Sequence, residues 1–151
     1  MAVSKRILAI VALFFISAVV CEAQWVAVAR AVSGRIQQMQ QRNENGSGGY
    51  DVAVVIIEAQ AQKVYETALQ RLQAHQDQVK IIKQDARKRT VAFTNGTQTA
   101  SLQANSLGEK ITQLMVASTL DPAQQSATSL VVKSIQQVCT ELKVECTLED
   151  Q

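Results

Sequence analysis

Two cysteines near the C-terminal end are the residues best placed for chemistry. Cys139 and Cys146 are seven residues apart. On one continuous helix they would lie two turns, or about 10 Å, apart, which is too far for a disulfide. If the helix ends near Leu142 and the chain folds back, a disulfide closes a short loop and contributes about 2–3 kcal/mol. The pair therefore predicts a disulfide in an oxidising compartment, with two free thiols as the alternative.

A basic cluster occupies the middle of the chain. Its members are Lys80, Lys83, Arg87, Lys88 and Arg89. Such a surface patch could contact acidic lipid headgroups, peptidoglycan or nucleic acid. The alternative is that these residues form the solvated end of a hairpin and have no binding role. We expect no nucleic acid partner, because no aromatic residues alternate with these cations to stack on bases. The formal charge of the whole chain, +2, also gives no strong basic field.

The remaining groups form no catalytic or metal-binding pattern. His75 is the only histidine, and it follows a predicted helix, where a cap or surface role is expected. The chain has no Gly-x-Ser-x-Gly motif and no glycine-rich phosphate loop. Asn45 and Asn95 each begin a glycosylation sequon, although Asn-Gly is also what a turn requires. The sequence predicts no enzyme, no cofactor and no metal.

The first 23 residues have the pattern of a targeting signal. Lys5 and Arg6 give a basic start, and an uncharged run of 14 residues follows from Ile7 to Val20. Small residues suited to a cleavage site come next. Since a membrane span needs about 20 residues, this run favours a signal peptide over residues 1–23 that is removed on export.

Two alternatives concern the same segment. An uncleaved signal would anchor the protein to the membrane through its N-terminus. Cys21 lies where bacterial lipoproteins carry their acylated cysteine, but Val20 is a poor match to the residue that normally precedes it. The predicted location is therefore periplasmic or secreted, with membrane anchorage by the signal or by Cys21 as the alternative.

Three segments are predicted after the signal. Residues 24–42 have an amphipathic helical pattern, and residues 43–49 are a polar, glycine-rich linker. Residues 50–151 form the folded domain. The apolar stripe of the first segment consists of Val28, Val32, Ile36 and Met39.

The domain pattern begins with a strand and a helix and then alternates. Tyr50–Ile57 is rich in β-branched residues, and residues 59–76 carry a helical apolar stripe. Four strands with short turns follow, at residues 78–84, 89–94, 97–107 and 111–120. Asn95-Gly96 in their centre predicts a tight type I′ hairpin turn.

The last element is a predicted helix that begins at Asp121-Pro122 and ends near Leu142. Asp is a favoured N-cap and Pro is tolerated at the first helical position. Two amphipathic helices and a half-apolar sheet can bury one another. The predicted class is α+β, an antiparallel sheet of four to five strands with two helices packed on one face, in the order strand–helix–four strands–helix.

Several motifs resemble those of a group of small bacterial envelope proteins of unknown function, periplasmic or lipoprotein. They are Tyr50-Asp51, the helix segment Val64–Leu69, the strand and turn Ile81–Asp85, and the Asn95-Gly96 hairpin. The resemblance covers about Tyr50–Val138. It implies a helix, an antiparallel sheet and a final helix in the bacterial envelope, and it implies no catalytic residues.

These observations lead to three functional hypotheses. The first is a non-enzymatic secreted or periplasmic envelope protein that acts as a binding or assembly module, with an envelope protein or a small apolar ligand as partner. The second is a carrier of a small ligand or lipid in a groove between helices and sheet. The third is an enzyme whose arrangement no sequence spacing reveals.

Overall fold

A computed structural model describes the chain at residues 32–42, 48–120 and 129–148. The predicted signal peptide, Cys21 and the sequon at Asn45 lie outside these ranges. The described residues from Ser33 onward belong to one unit.

Seven strands and two helices follow one another along the described chain. They are β1 (Arg35–Arg42), β2 (Gly49–Ile57), α1 (Ala61–Ala74), β3 (Lys80–Asp85), β4 (Thr90–Thr94), β5 (Thr99–Gly108), β6 (Ile111–Thr119), α2 (Leu130–Leu142) and β7 (Thr147–Leu148). The predicted order strand–helix–four strands–helix is present from β2 to α2.

All seven strands form one sheet in the order β3-β4-β5-β6-β2-β1-β7. Neighbours are antiparallel except β1 and β7, which pair in parallel with Arg35 opposite Thr147. The α+β class with two helices is confirmed. The prediction of a purely antiparallel sheet of four to five strands is wrong, because β1 and β7 extend the sheet beyond β2.

The helix predicted over residues 24–42 is wrong at Arg35–Arg42, which is strand β1; residues 24–31 lie outside the described ranges. Arg, Gln and Met are good helix formers, but intrinsic preferences amount to less than about 1 kcal/mol per residue, and tertiary pairing overrides them. Here β1 satisfies its backbone groups along β2, from Gln37 opposite Val54 to Arg42 opposite Gly49. The predicted linker therefore does not separate β1 from the domain, although residues 43–47 are not described.

The hairpin turn between β4 and β5 also differs from the prediction. Thr94 pairs with Thr99, so the loop has four residues and is not a two-residue type I′ turn. Asn95 Oδ1 accepts hydrogen bonds from the backbone N–H groups of Thr97, at 3.1 Å, and Gln98, at 2.8 Å. The asparagine side chain thus organises the loop, and only Gly96 adopts a positive φ, of 96°.

The core lies between one face of the sheet and both helices, which also contact each other. It is mainly aliphatic, and alternate residues of the strands point into it. Its largest fully buried side chains include Tyr65, Ile36, Ile57, Leu114, Ile135, Val55, Val64 and Val91. The predicted stripe of α1 is confirmed, because Ala61, Val64, Tyr65 and Ala68 are buried.

Helix α2 begins later than the sequence predicts. Ser129 is extended and its hydroxyl accepts a hydrogen bond from the Val132 N–H at 3.4 Å, so the N-cap is Ser129 and not Asp121. A continuous helix from Pro122 is therefore wrong, and residues 121–128 are not described. The Ser129 side chain thereby satisfies one of the otherwise free N–H groups in the first turn of α2.

The C-terminal end of α2 creates the geometry for a disulfide. Lys143 adopts a left-handed conformation with φ 57°, and the Val144 N–H donates to the Cys139 carbonyl at 3.0 Å. The chain then turns back, and Cys139 is bonded to Cys146 with 6.1 Å between their Cα atoms. The disulfide joins α2 to the segment that leads into β7.

Candidate ligand groove

A groove of about 140 Å³ lies between α1, α2 and the inner face of β4 and β5. Most of its lining is apolar. The apolar residues are Ala68, Leu72, Val79, Phe93, Leu102, Leu130 and Val138. The volume is close to the roughly 150 Å³ of an engineered apolar cavity that binds benzene.

Helical periodicity explains why these side chains converge. Residues four apart share a helix face, which brings Leu130, Ser134 and Val138 of α2 to the groove and places Ala68 and Leu72 of α1 opposite them. Ala68 is buried on this face of α1. Leu72 lies one turn further along the same face, near the end of the helix, and is half-buried.

The polar part of the lining consists of Arg71, His75, Gln78, Ser134 and Gln137. No aspartate or glutamate belongs to the lining among the described residues. Arg71 Nη1 donates to Glu141 Oε1 at 2.9 Å, and this ion pair joins α1 to α2 beside the groove. Arg71 and Glu141 also line a smaller neighbouring depression.

Two groove residues, His75 and Ser134, are of the types that serve as a base and a nucleophile, and each is hydrogen-bonded to a backbone carbonyl of its own helix. The Nδ1–H of His75 donates to the Arg71 carbonyl at 2.9 Å, because a carbonyl can only accept; a neutral His75 ring then keeps its lone pair on Nε2. The Ser134 hydroxyl donates to the Leu130 carbonyl at 2.8 Å. Both protons are therefore held by the helix backbone.

The basic cluster lies away from the groove and is only partly a free surface. Lys80 and Lys83 are exposed on β3, an edge strand of the described sheet, and Arg87 and Lys88 are exposed in the following turn. Arg89 differs, because its Nε–H donates to the Ala104 carbonyl at 3.0 Å and its backbone φ is 51°. Arg89 thus fixes the turn onto β5.

The described residues form neither a metal-binding cluster nor a membrane-spanning helix. No group of three or more His, Cys, Asp or Glu side chains in residues 32–42, 48–120 and 129–148 could hold a metal ion. Within the same ranges, no helix has both the length and the apolar character of a membrane span.

The Arg71–Glu141 pair was missed by sequence reasoning, since the two residues are 70 positions apart. The signal available was a cation next to the apolar stripe of α1, and such residues are common on solvated helices. Its partner becomes visible only when α1 and α2 are placed side by side.

Comparisons with known proteins do not assign this chain to a family. No protein-family model matches the chain. No curated protein matches it. Similar solved structures include a conserved protein of unknown function, EF2215, from Enterococcus faecalis, at 11% identity and a TM-score of 0.46. That match covers 59% of this chain and 64% of the other, so this chain spans less than two thirds of that relative.

Two further solved structures are similar at the same level. The Zhui aromatase/cyclase from Streptomyces sp. R1128 is 14% identical with a TM-score of 0.38, over 64% of this chain and 87% of that one. CalU16 from Micromonospora echinospora is 8% identical with a TM-score of 0.45, over 73% and 84% of the two chains. Likeness with TM-scores below 0.5 carries no argument about what this protein does.

Proposed function

We propose that the protein is a non-enzymatic binding module of the cell envelope that holds a small, largely apolar molecule in the groove between its helices and its sheet. The observation that carries the proposal is the groove itself, in which seven apolar side chains surround about 140 Å³ and five polar residues complete the lining. Few polar groups in a mostly apolar concave site are typical of small-molecule binding.

The volume of the groove indicates the size of the ligand that it can hold. A cavity of about 150 Å³ accommodates one benzene ring, so this groove suits one ring or a short branched chain better than a whole lipid tail. The small-ligand hypothesis is therefore favoured over a carrier that encloses a lipid.

The hydrogen bonds of the polar lining favour binding over catalysis. A nucleophilic serine needs a base within hydrogen-bond reach of its hydroxyl. In the described residues the Ser134 hydroxyl instead donates to the Leu130 carbonyl, and not to a side-chain base.

An oxidising envelope compartment is the location that we propose, either periplasmic or secreted. The Cys139–Cys146 disulfide supports it, because disulfides persist in such compartments. Intact mass of the protein from its native source would test the N-terminus, since cleavage after residue 23, retention of the signal and acylation of Cys21 give three different masses.

Binding in the groove is tested by NMR titration of the full chain with toluene. We expect chemical-shift changes at Leu72, Phe93 and Val138, and none at Ala117, which does not line the groove. Ser134→Phe should abolish these changes by filling the groove from α2. Lys133→Phe, on the exposed side of the same helix, should not. Unchanged groove resonances at saturating toluene would overturn the proposal.

A further inference from the structure

Only some of the hydrogen-bond donors of the Arg71 side chain have a partner among the described residues. Its Nη1 donates to Glu141, but its Nε–H is buried and has no acceptor among the described residues. Buried donors without an acceptor are rare in folded proteins. In a guanidinium group, Nε–H and one terminal N–H point in parallel, and together they match the two oxygens of a carboxylate.

The rest of the polar lining is also suited to an anion. Gln137 carries an amide donor, Gln78 Nε2 donates to Asp77 Oδ2 at 3.5 Å, and no carboxylate of the described chain belongs to the groove lining itself. Glu141 binds Arg71 from the side of the smaller depression, which Arg71 shares with the groove. This bond uses Nη1 and leaves the Nε edge of the guanidinium unpaired within the described residues.

We propose that the ligand of the groove is a small carboxylic acid, whose apolar body occupies the groove and whose carboxylate is bound by the Nε edge of Arg71. This inference rests on the proposed function, because it needs the groove to be a binding site. Arg71 is then the residue that determines specificity, and Glu141 is a positioning residue that holds the guanidinium in place.

A purely structural role for Arg71 leads to a different expectation. The Arg71 and Glu141 side chains are 32% and 46% exposed, so their ion pair could simply connect two helices at the surface. In that case a charged and a neutral ligand of the same shape would bind the groove equally well.

The experiment is isothermal titration of the full chain with two probes of nearly the same size, benzoate and benzamide. We expect benzoate to bind at least about tenfold more tightly than benzamide, because a bidentate charge-assisted bond is stronger than a neutral one. Arg71→Gln should reduce this ratio to about one while the benzamide affinity stays the same. A ratio that survives Arg71→Gln would overturn the inference.

A matched control separates local recognition from general charge. Lys133→Gln removes one positive charge from the exposed side of α2 with the same replacement residue. It should leave the benzoate preference unchanged, and an equal loss in both variants would overturn the inference. Equal binding of both probes to the unaltered chain would also overturn it and leave the groove a binding site. Absence of binding by either probe would instead overturn the proposed function.

Discussion

The side-chain amide of Gln38 donates a hydrogen bond of 2.9 Å to Oδ1 of Asp51. The same nitrogen donates to the Ser129 hydroxyl oxygen, also at 2.9 Å. Asp51 is 2% exposed, so this amide supplies part of what a buried carboxylate needs in place of water. One glutamine thereby connects β1, β2 and the N-cap of α2.

Replacing Gln38 by alanine should lower the free energy of unfolding by about 1–3 kcal/mol, since it leaves a buried carboxylate short of a donor. Urea denaturation followed by circular dichroism measures the change. Gln41→Ala is the matched control, because Gln41 is exposed on the same strand; its effect should stay within about 0.5 kcal/mol. Equal effects of the two substitutions would show that the Gln38 amide has no special role.

Local patterns predict the central part of this fold well. The α1 prediction, residues 59–76, differs from Ala61–Ala74 by two residues at each end. The four strands β3 to β6 also lie where alternation places them, because half-buried strands must put apolar residues on one face. In these elements the burial pattern and the secondary structure depend on the same short-range periodicity.

The ends of the sheet and the groove depend on distant partners. Strand β1 has one buried apolar residue, Ile36, and owes its conformation to pairing with β2. Strand β7 has only Thr147 and Leu148, both exposed, and no local pattern could reveal it. The groove likewise exists only because α1 and α2 meet, so its volume and the Arg71–Glu141 pair could not be derived from either helix alone.

Gly34 should not tolerate a side chain. It has a φ of 78°, and a Cβ atom there would collide with the Glu145 carbonyl oxygen. Its N–H donates to Ile56 at 2.8 Å and its carbonyl accepts from Thr147 at 2.9 Å, so the backbone cannot move away without loss of both bonds. Gly34→Ala should cost about 2–3 kcal/mol, measured as a shift in the urea midpoint.

Gly108→Ala is the control for that substitution. A Cβ atom at Gly108 meets nothing within 4 Å. The change should therefore alter stability by less than about 0.5 kcal/mol. If both alanine variants unfold at the same urea concentration, the close approach of Gly34 to Glu145 does not limit the fold.

Removal of the disulfide should destabilise the domain by about 2–3 kcal/mol, because a short loop is then no longer closed in the unfolded chain. The Cys139→Ser, Cys146→Ser double variant and the dithiothreitol-treated protein should unfold at similarly reduced urea concentrations. Reductant should have no effect on the double variant. An unchanged midpoint after verified reduction would show that the turn at Lys143 keeps Cys139 and Cys146 together without the bond.

Tyr65 and Thr112 allow a comparison of two buried hydroxyls. The Tyr65 hydroxyl has no hydrogen-bond partner in the described part of the chain, whereas the Thr112 hydroxyl donates to the Ala59 carbonyl at 2.7 Å. Removing an unpaired polar group relieves its desolvation cost, so Tyr65→Phe should leave stability unchanged or raise it by up to about 1 kcal/mol.

Thr112→Val keeps the shape of the side chain but removes its hydroxyl. The Ala59 carbonyl then loses the hydrogen bond that it accepts from Thr112. It should lower the free energy of unfolding by about 1–2 kcal/mol. Urea denaturation of the two variants beside the unaltered protein gives both differences in one series. Only Thr112→Val is expected to destabilise the protein, because both side chains are buried and, among the described residues, only the Thr112 hydroxyl has an acceptor. A loss of more than about 1 kcal/mol in Tyr65→Phe would mean that the phenol oxygen has a partner after all.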